Sequence, residues 1–288
     1  MSLLLTLLLT VVPQNVILVK GATPSASDSS TPVPEQGTIA AGRYRNAYFH
    51  LSYPLPAGWT EQPAGPPPSD TGAYVLTQFA MIDADQRLRA HLLVTAQDLF
   101  FSLTGAAGAK ELIDSARRGV ATHYEIESEP SEVAIAGRTF HRFGYRGRRA
   151  GLHWRVLATD ARCHALTFVF TGTDEAVLDA AERGMNAITF DRTAPACVQD
   201  YARADNLVAK TDPFFGSHRY NTIPVRVLVN AKGRVQHVHL LSAFPEQSQA
   251  IIAAVKTWRF KPYRVDGKAV PVETGLVFGT PQVVSQRP

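Results

Sequence analysis

Two histidines, His237 and His239, alternate in the stretch Gln236-His237-Val238-His239. Side chains two apart on a strand share a face, so the pair offers two nitrogen ligands to a metal. Zinc sites draw on at least three protein ligands, and no third ligand stands at a useful spacing. A solvated strand face is therefore the expectation, and no metal is assigned. The chain has two cysteines, Cys163 and Cys197, outside any Cys-x-x-Cys pair. Cys163 opens an apolar strand-like run and Cys197 follows the next such run closely. In an exported protein the two can form a disulfide; otherwise they are two buried or half-buried thiols. Arg142, Arg146, Arg148, Arg149 and Arg155 cluster with aromatics in RFGYRGRRAGLHWR. On a hairpin this reads as a solvated turn before it reads as an anion site. Asp83 and Asp85 in MIDADQR mark a turn, the remaining histidines are scattered singly, and Trp59 and Trp154 read as core. There is no nucleophile elbow, P-loop, dinucleotide glycine fingerprint or paired-carboxylate arrangement. The sequence reads as non-enzymatic, with no cofactor.

The elements that must carry these residues have room for two domains in 288 residues. Hydrophobic content of 45% and charged content of 19% fit folded material. A net charge of +4 is too mild to imply nucleic acid. From residue 200 onward 12 Lys/Arg stand against 6 Asp/Glu, while the rest carries 17 against 19. Ordinary surface charge accounts for that, with a weakly basic binding face as the alternative. The apolar run at 2–12 falls short of the roughly 20 residues that span a bilayer. It fits the core of a secretory signal. Residues 1–22 thus read as a signal peptide or, taking 3–19 as one poor span, as a weak anchor.

Residues 23–42 are rich in Ser, Thr, Pro, Ala and Gly and read as a flexible leader. Residues 43–192 show strand patterns at 74–82, 89–99, 131–147, 152–159, 164–172 and 187–192. Helical spacing occupies 108–124 and 174–185. The expectation is an antiparallel sheet with packed helices, an α+β domain. Residues 193–219 read as a connector with a short helix at 198–209.

Residues 220–281 carry the clearest pattern. Val225, Val227 and Val229 alternate, a turn reaches Gly233, and Val235, Val238 and Leu240 resume on a second strand. A helix follows at 242–258, with Ile251, Ile252, Val255 and Trp258 on one stripe. Pro262 stops it, and a turn at Asp266-Gly267-Lys268 leads to a last strand. The result is a small ββαβ unit.

This assembly resembles the C-terminal domain of TonB-family proteins over about 220–280. The resemblance rests on Val225-x-Val227-x-Val229-x-x-x-Gly233-Arg234-Val235, on Trp258-Arg259-Phe260-Lys261-Pro262, and on Asp266-Gly267-Lys268-x-Val270-x-Val272. More loosely, 44–192 resembles PsbP/Mog1-like domains. That likeness rests on Tyr44-x-Asn46-x-x-Phe49-x-Leu51-x-Tyr53-Pro54-x-Pro56-x-Gly58-Trp59, and on a closing helix before Ala187-Ile188-Thr189-Phe190. It implies an accessory binding module and no chemistry.

The TonB resemblance implies partner binding by strand addition, in which a sheet edge accepts an extended peptide. It makes Gly233, Trp258, Arg259, Phe260, Pro262 and Gly267 structural. It makes the last strand, Pro271, Val272, Glu273, Thr274, Gly275, Leu276, Val277 and Phe278, the candidate partner-binding edge. The expected partner is a protein, either a membrane receptor peptide or another copy of the domain. Nucleic acid is not expected, and membrane contact only if residues 3–19 are retained. The expected role is a non-enzymatic cell-envelope protein, periplasmic or secreted. The alternative is an inner-membrane-anchored energy transducer serving outer-membrane receptor transport.

Overall fold

The structure, a computed structural model, describes residues 25–28, 32–63, 65–66, 68–149, 151–190, 194–214 and 222–279. In chain order, the strands before the first helix are β1 (Ala26–Ser27), β2 (Gly37–Ala40), β3 (Arg43–Asn46), β4 (Leu51–Pro54), β5 (Trp59–Glu61), β6 (Ala73–Ile82) and β7 (Leu88–Asp98). Helix α1 (Ala109–Arg118) precedes β8 (Tyr124–Ile135), β9 (Arg138–Gly147), β10 (Leu152–Ala161), β11 (His164–Gly172) and α2 (Glu175–Gly184). The first unit is a seven-stranded antiparallel sheet in the order β5-β6-β7-β11-β10-β9-β8.

Alternation sorts the side chains of this sheet onto two faces. Leu157, Phe168, Phe170, Phe79 and Leu92 face one core, shared with Tyr44 and Tyr53 of the small sheet β2-β3-β4 and with Leu178 of α2. Val156, Ala158 and Ala165 face the other way, onto Ala109 and Ile113 of α1. Asp174 caps α2, its carboxylate accepting from the Ala176 and Val177 amides, as the sequence Thr-Asp-Glu predicts.

Three expectations for this unit need correction. The run 131–147 is a hairpin, β8 and β9, because Ala136 and Gly137 both take positive φ, the two-residue turn that suits strand twist. The helix at 108–124 ends at Gly119, and Tyr124 already belongs to β8. Of 187–192, Thr189 makes a single bridge to Ser52 rather than a strand, and 191–192 lie outside the described residues.

The C-terminal unit contains β12 (Ala196–Cys197), β13 (Leu207–Ala209), β14 (Ile223–Val229), β15 (Val235–Leu240), α3 (Pro245–Thr257), β16 (Arg259–Phe260), β17 (Arg264–Val265), β18 (Lys268–Ala269) and β19 (Val272–Phe278). Its main sheet runs β1-β15-β14-β19-β12. Ile251, Val255 and Trp258 pack on Val225, Val227 and Val238 beneath it.

The leader and the connector are built into the body. Ala26 and Ser27 pair with Leu240 and His239, Gly37–Ala40 pairs with β3, and Val33 is buried. Composition registers only apolar burial, whereas this segment is held by strand edges and ion pairs. In the connector, Tyr201 is buried on Phe260. The expected helix at 198–209 gives way to turns, a 3-10 turn at Ala204–Asn206 and β13, because the Asn206 carbonyl accepts from the Lys261 amide and β13 pairs with β16.

Candidate functional site: the edges of the C-terminal sheet

The turn between β14 and β15 is set by Asn230, whose side-chain oxygen accepts from the Lys232 and Arg234 amides at 2.9 and 3.1 Å. Gly233 follows with φ of 74°. A Cβ there would collide with the Phe260 carbonyl oxygen, and the Gly233 carbonyl itself accepts from the Phe260 amide at 2.8 Å. Glycine is thus required twice, for its conformation and for its closeness.

Trp258 ends α3 in extended geometry and is buried, its indole N–H donating to the Thr211 carbonyl at 2.7 Å. Arg259 and Phe260 form β16, and the Tyr201 hydroxyl donates to the Lys261 carbonyl just before Pro262. Gly267 takes φ of 77° in the β17–β18 turn. Gly233, Trp258 and Phe260 pack or bond within this unit, whereas Pro262 and Gly267 are exposed; none of the six motif residues lies on β19.

β19 pairs along its whole length with β14, from Val272↔Val229 to Phe278↔Ile223. Its other flank is partly taken. β12 runs parallel to it, with the Ala196 amide donating to the Pro271 carbonyl at 2.9 Å and the Val198 amide to the Glu273 carbonyl at 3.0 Å. Backbone groups of alternate residues point to opposite flanks of a strand. Gly275 and Val277 therefore aim their N–H and C=O groups the same way as the Pro271 and Glu273 carbonyls, past the end of β12.

Of the eight residues expected as an edge, Pro271 to Thr274 are covered by the β12 segment, and among the described residues Gly275 to Phe278 have no strand on that flank. Val277 is 57% exposed. A Cβ on Gly275 would meet Phe100 at 3.0 Å and Phe101 at 3.1 Å, so an aromatic pair of the first unit roofs this end. The opposite edge of the sheet, β15, carries β1.

Glu273 is also the hub between the units. Its carboxylate pairs with Arg162 and, at 2.8 Å, with Arg226, while Arg226 also pairs with Asp98. All four side chains are nearly buried, and the Arg162 guanidinium lies 4.0 Å over the Tyr48 ring. Burial works against the Arg226 charge, but Asp98, Tyr48 and Glu273 outweigh it and hold its pKa well above the ordinary value. Beside them, Cys163 is disulfide-bonded to Cys197, tying the first unit to β12. The cluster was not visible in the sequence, since its members lie far apart along the chain and carry no local motif.

His237 and His239 are not on a solvated face. Both are buried, at 4% and 1% exposure, under the leader. Asp28 pairs with His237 and, at 2.6 Å, with Lys256; Glu35 lies 3.4 Å from His239. Burial lowers the His237 pKa, with Asp28 opposing. For Glu35, burial pushes upward, yet His239 and Ser25 together leave its pKa below the ordinary carboxylate value. Among the described residues no group of three or more His, Cys, Asp or Glu can hold a metal.

The arginine cluster is met by carboxylates: Arg142 with Glu182, Arg146 with Glu125, Arg155 with Asp179. Trp59 is core, but Trp154 is only half-buried, stacked on Tyr145 along a groove of about 560 Å³ beneath α1. Among the described residues no helix is long and apolar enough to cross a membrane, and the run 2–12 lies outside them.

No curated protein matches the chain. The solution structure of cyanobacterial PsbP from Synechocystis sp. PCC 6803 aligns with 54% of this chain and 97% of its own, at 17% identity and a TM-score of 0.36. So loose a likeness carries no argument. Residues 219–279 match the family described as Gram-negative bacterial TonB protein C-terminal, a segment that contains the hairpin, α3 and β19. The chain therefore carries a TonB C-terminal domain at its residues 219–279.

Proposed function

We propose that this is a non-enzymatic protein of the cell envelope that binds a protein partner through its C-terminal unit. The partner adds an extended strand to the open part of β19, at Gly275 to Phe278. The observation that carries this reading is the set of backbone groups at Gly275 and Val277 that point away from β14 and that β12 does not reach. Unpaired strand edges are ready templates for another chain. The match of 219–279 to the TonB C-terminal family, whose domain is non-catalytic, supports a binding role. The disulfide fits an oxidising compartment, so we place the protein in the periplasm or outside the cell. An energy transducer needs reach towards the outer membrane. The packing of Ala26–Ser27 and Gly37–Ala40 onto the body shortens what the leader can span.

The test is site-specific photocrosslinking in the native host, from position 277 and, as control, from Leu88, which is 62% exposed in the first unit. A discrete protein adduct from 277 alone is expected. No adduct from 277, or the same adducts from both positions, contradicts the reading.

A further inference from the structure

We propose that the covered part of the β19 edge is itself a strand-acceptor site, occupied in cis by β12, and that the Cys163–Cys197 disulfide controls its occupancy. This rests on the reading of the C-terminal unit as a strand-binding module and extends it to a redox gate.

β12 is two residues long and is held by few bonds. Its backbone makes the Ala196–Pro271 and Val198–Glu273 hydrogen bonds, and the Thr274 hydroxyl donates to the Gln199 carbonyl at 2.9 Å. So short a strand gains little net from its hydrogen bonds against the entropy of ordering it. Ala196 and Val198 are only half-buried against the core of the C-terminal unit, and larger side chains pack at Phe190, under the Arg138 guanidinium at 4.3 Å, and at Tyr201, stacked on Phe260 at 5.7 Å. The disulfide adds the covalent anchor to this shallow packing, because it fixes Cys197 beside Glu273 and gives the strand a high effective concentration at the edge.

The bond is open to exchange from one side. Cys163 is buried and Cys197 is exposed. An adjoining cavity of about 480 Å³ is lined by both cysteines, Arg138, Asp160, Arg162 and Gln199. A thiolate of an external dithiol can attack the Cys197 Sγ, forming a mixed disulfide and expelling the Cys163 sulfur, which takes up a proton. That sulfur lies 3.5 Å from a Glu273 carboxylate oxygen, which accepts its S–H. The second thiol of the dithiol then attacks its own sulfur in the mixed disulfide and releases Cys197 as a thiol. The dithiol ends as a disulfide, and the protein has gained two electrons and two protons. With β12 released, the outward groups of Pro271 and Glu273 join those of Gly275 and Val277 in one continuous edge. Its partner is an extended peptide running parallel to β19, as β12 does.

The experiment measures amide hydrogen exchange of the full-length oxidised protein, of the same protein reduced with dithiothreitol, and of Cys197→Ser. It adds a fluorescent peptide with the sequence of residues 194–200 and serine at the cysteine position. Exchange at Ala196 and Val198 should rise at least tenfold on reduction and in the variant, with β14 and β15 unchanged. The peptide should bind these two forms and not the oxidised one. Unchanged exchange overturns the gate and leaves the binding reading standing. A rise that spreads over β14 and β15 makes the bond a staple of the unit and also overturns the gate. A local rise without peptide binding overturns both the gate and strand addition at this edge.

Discussion

At the scale of single residues, Gly233 and Gly267 show how one residue type does two jobs. Both have positive φ, but only Gly233 lies against another backbone segment. Gly233→Ala is expected to cost more than about 3 kcal/mol, strain plus a collision. Gly267→Ala should cost about 1–2 kcal/mol, strain alone. Urea unfolding of the two variants checks the difference. The histidines give a pH dependence with a definite sign. His164 is fully buried among Tyr48, Phe49 and Tyr74, with Asp98 at 3.7 Å, and its Nδ1 lies 2.7 Å from the Arg162 carbonyl. Burial first, then Arg226, lowers its pKa well below the ordinary value, and burial also lowers that of His237. Below about pH 6.5 the unfolded chain takes up protons that the folded chain refuses, so stability falls as pH falls. Each histidine adds a slope of up to about 1.4 kcal/mol per pH unit until its folded pKa is reached. Urea titrations between pH 7.5 and 5.5 should show the decline, and His164→Asn should make it shallower. Neither the burial of His237 and His239 nor their carboxylates could be read from alternation alone. A strand pattern says which residues share a face, not what covers it.

At the scale of elements, legibility followed local periodicity. The β14–β15 hairpin, α3 and the strands β6, β7, β10 and β11 all show in the spacing of apolar residues, because each carries an apolar face at the period of its element. The short elements do not. β1, β12 and β13 are defined by the strand they lie against, as Ala26–Ser27 is by Leu240 and His239, and nothing in two residues announces that. The candidate edge was legible as a strand, yet its coverage by Ala196–Cys197 was not. The termini of helices behave more locally. Asp174 caps α2 and also pairs with Arg89 at 2.7 Å. Asp174→Ala is expected to cost about 1 kcal/mol, seen as a shift in the urea midpoint with unchanged slope.

At the scale of the whole molecule, the two units are joined by the charge cluster, the disulfide and the leader. Arg226→Ala leaves Asp98 and Glu273 without their common partner in a buried setting. Loss of about 3–5 kcal/mol is expected, because an unpaired buried charge costs far more than the pair contributes. Denaturation followed by probes in each unit should show both units weakened together. The same junction sets Phe100 and Phe101 of the first unit against Gly275 of β19.

The central claim, that a partner adds a strand at the open end of β19, is tested most directly with Val277→Pro. The Val277 amide points away from β14, so proline removes the donor a partner strand needs and leaves the ladder within the sheet intact. The measurement is retention, by purified full-length variant, of the protein captured from position 277. The variant is expected to fold, with its melting temperature within a few degrees of the parent, and to lose the partner more than tenfold. A folded Val277→Pro protein that retains the partner at the parent level would contradict the claim.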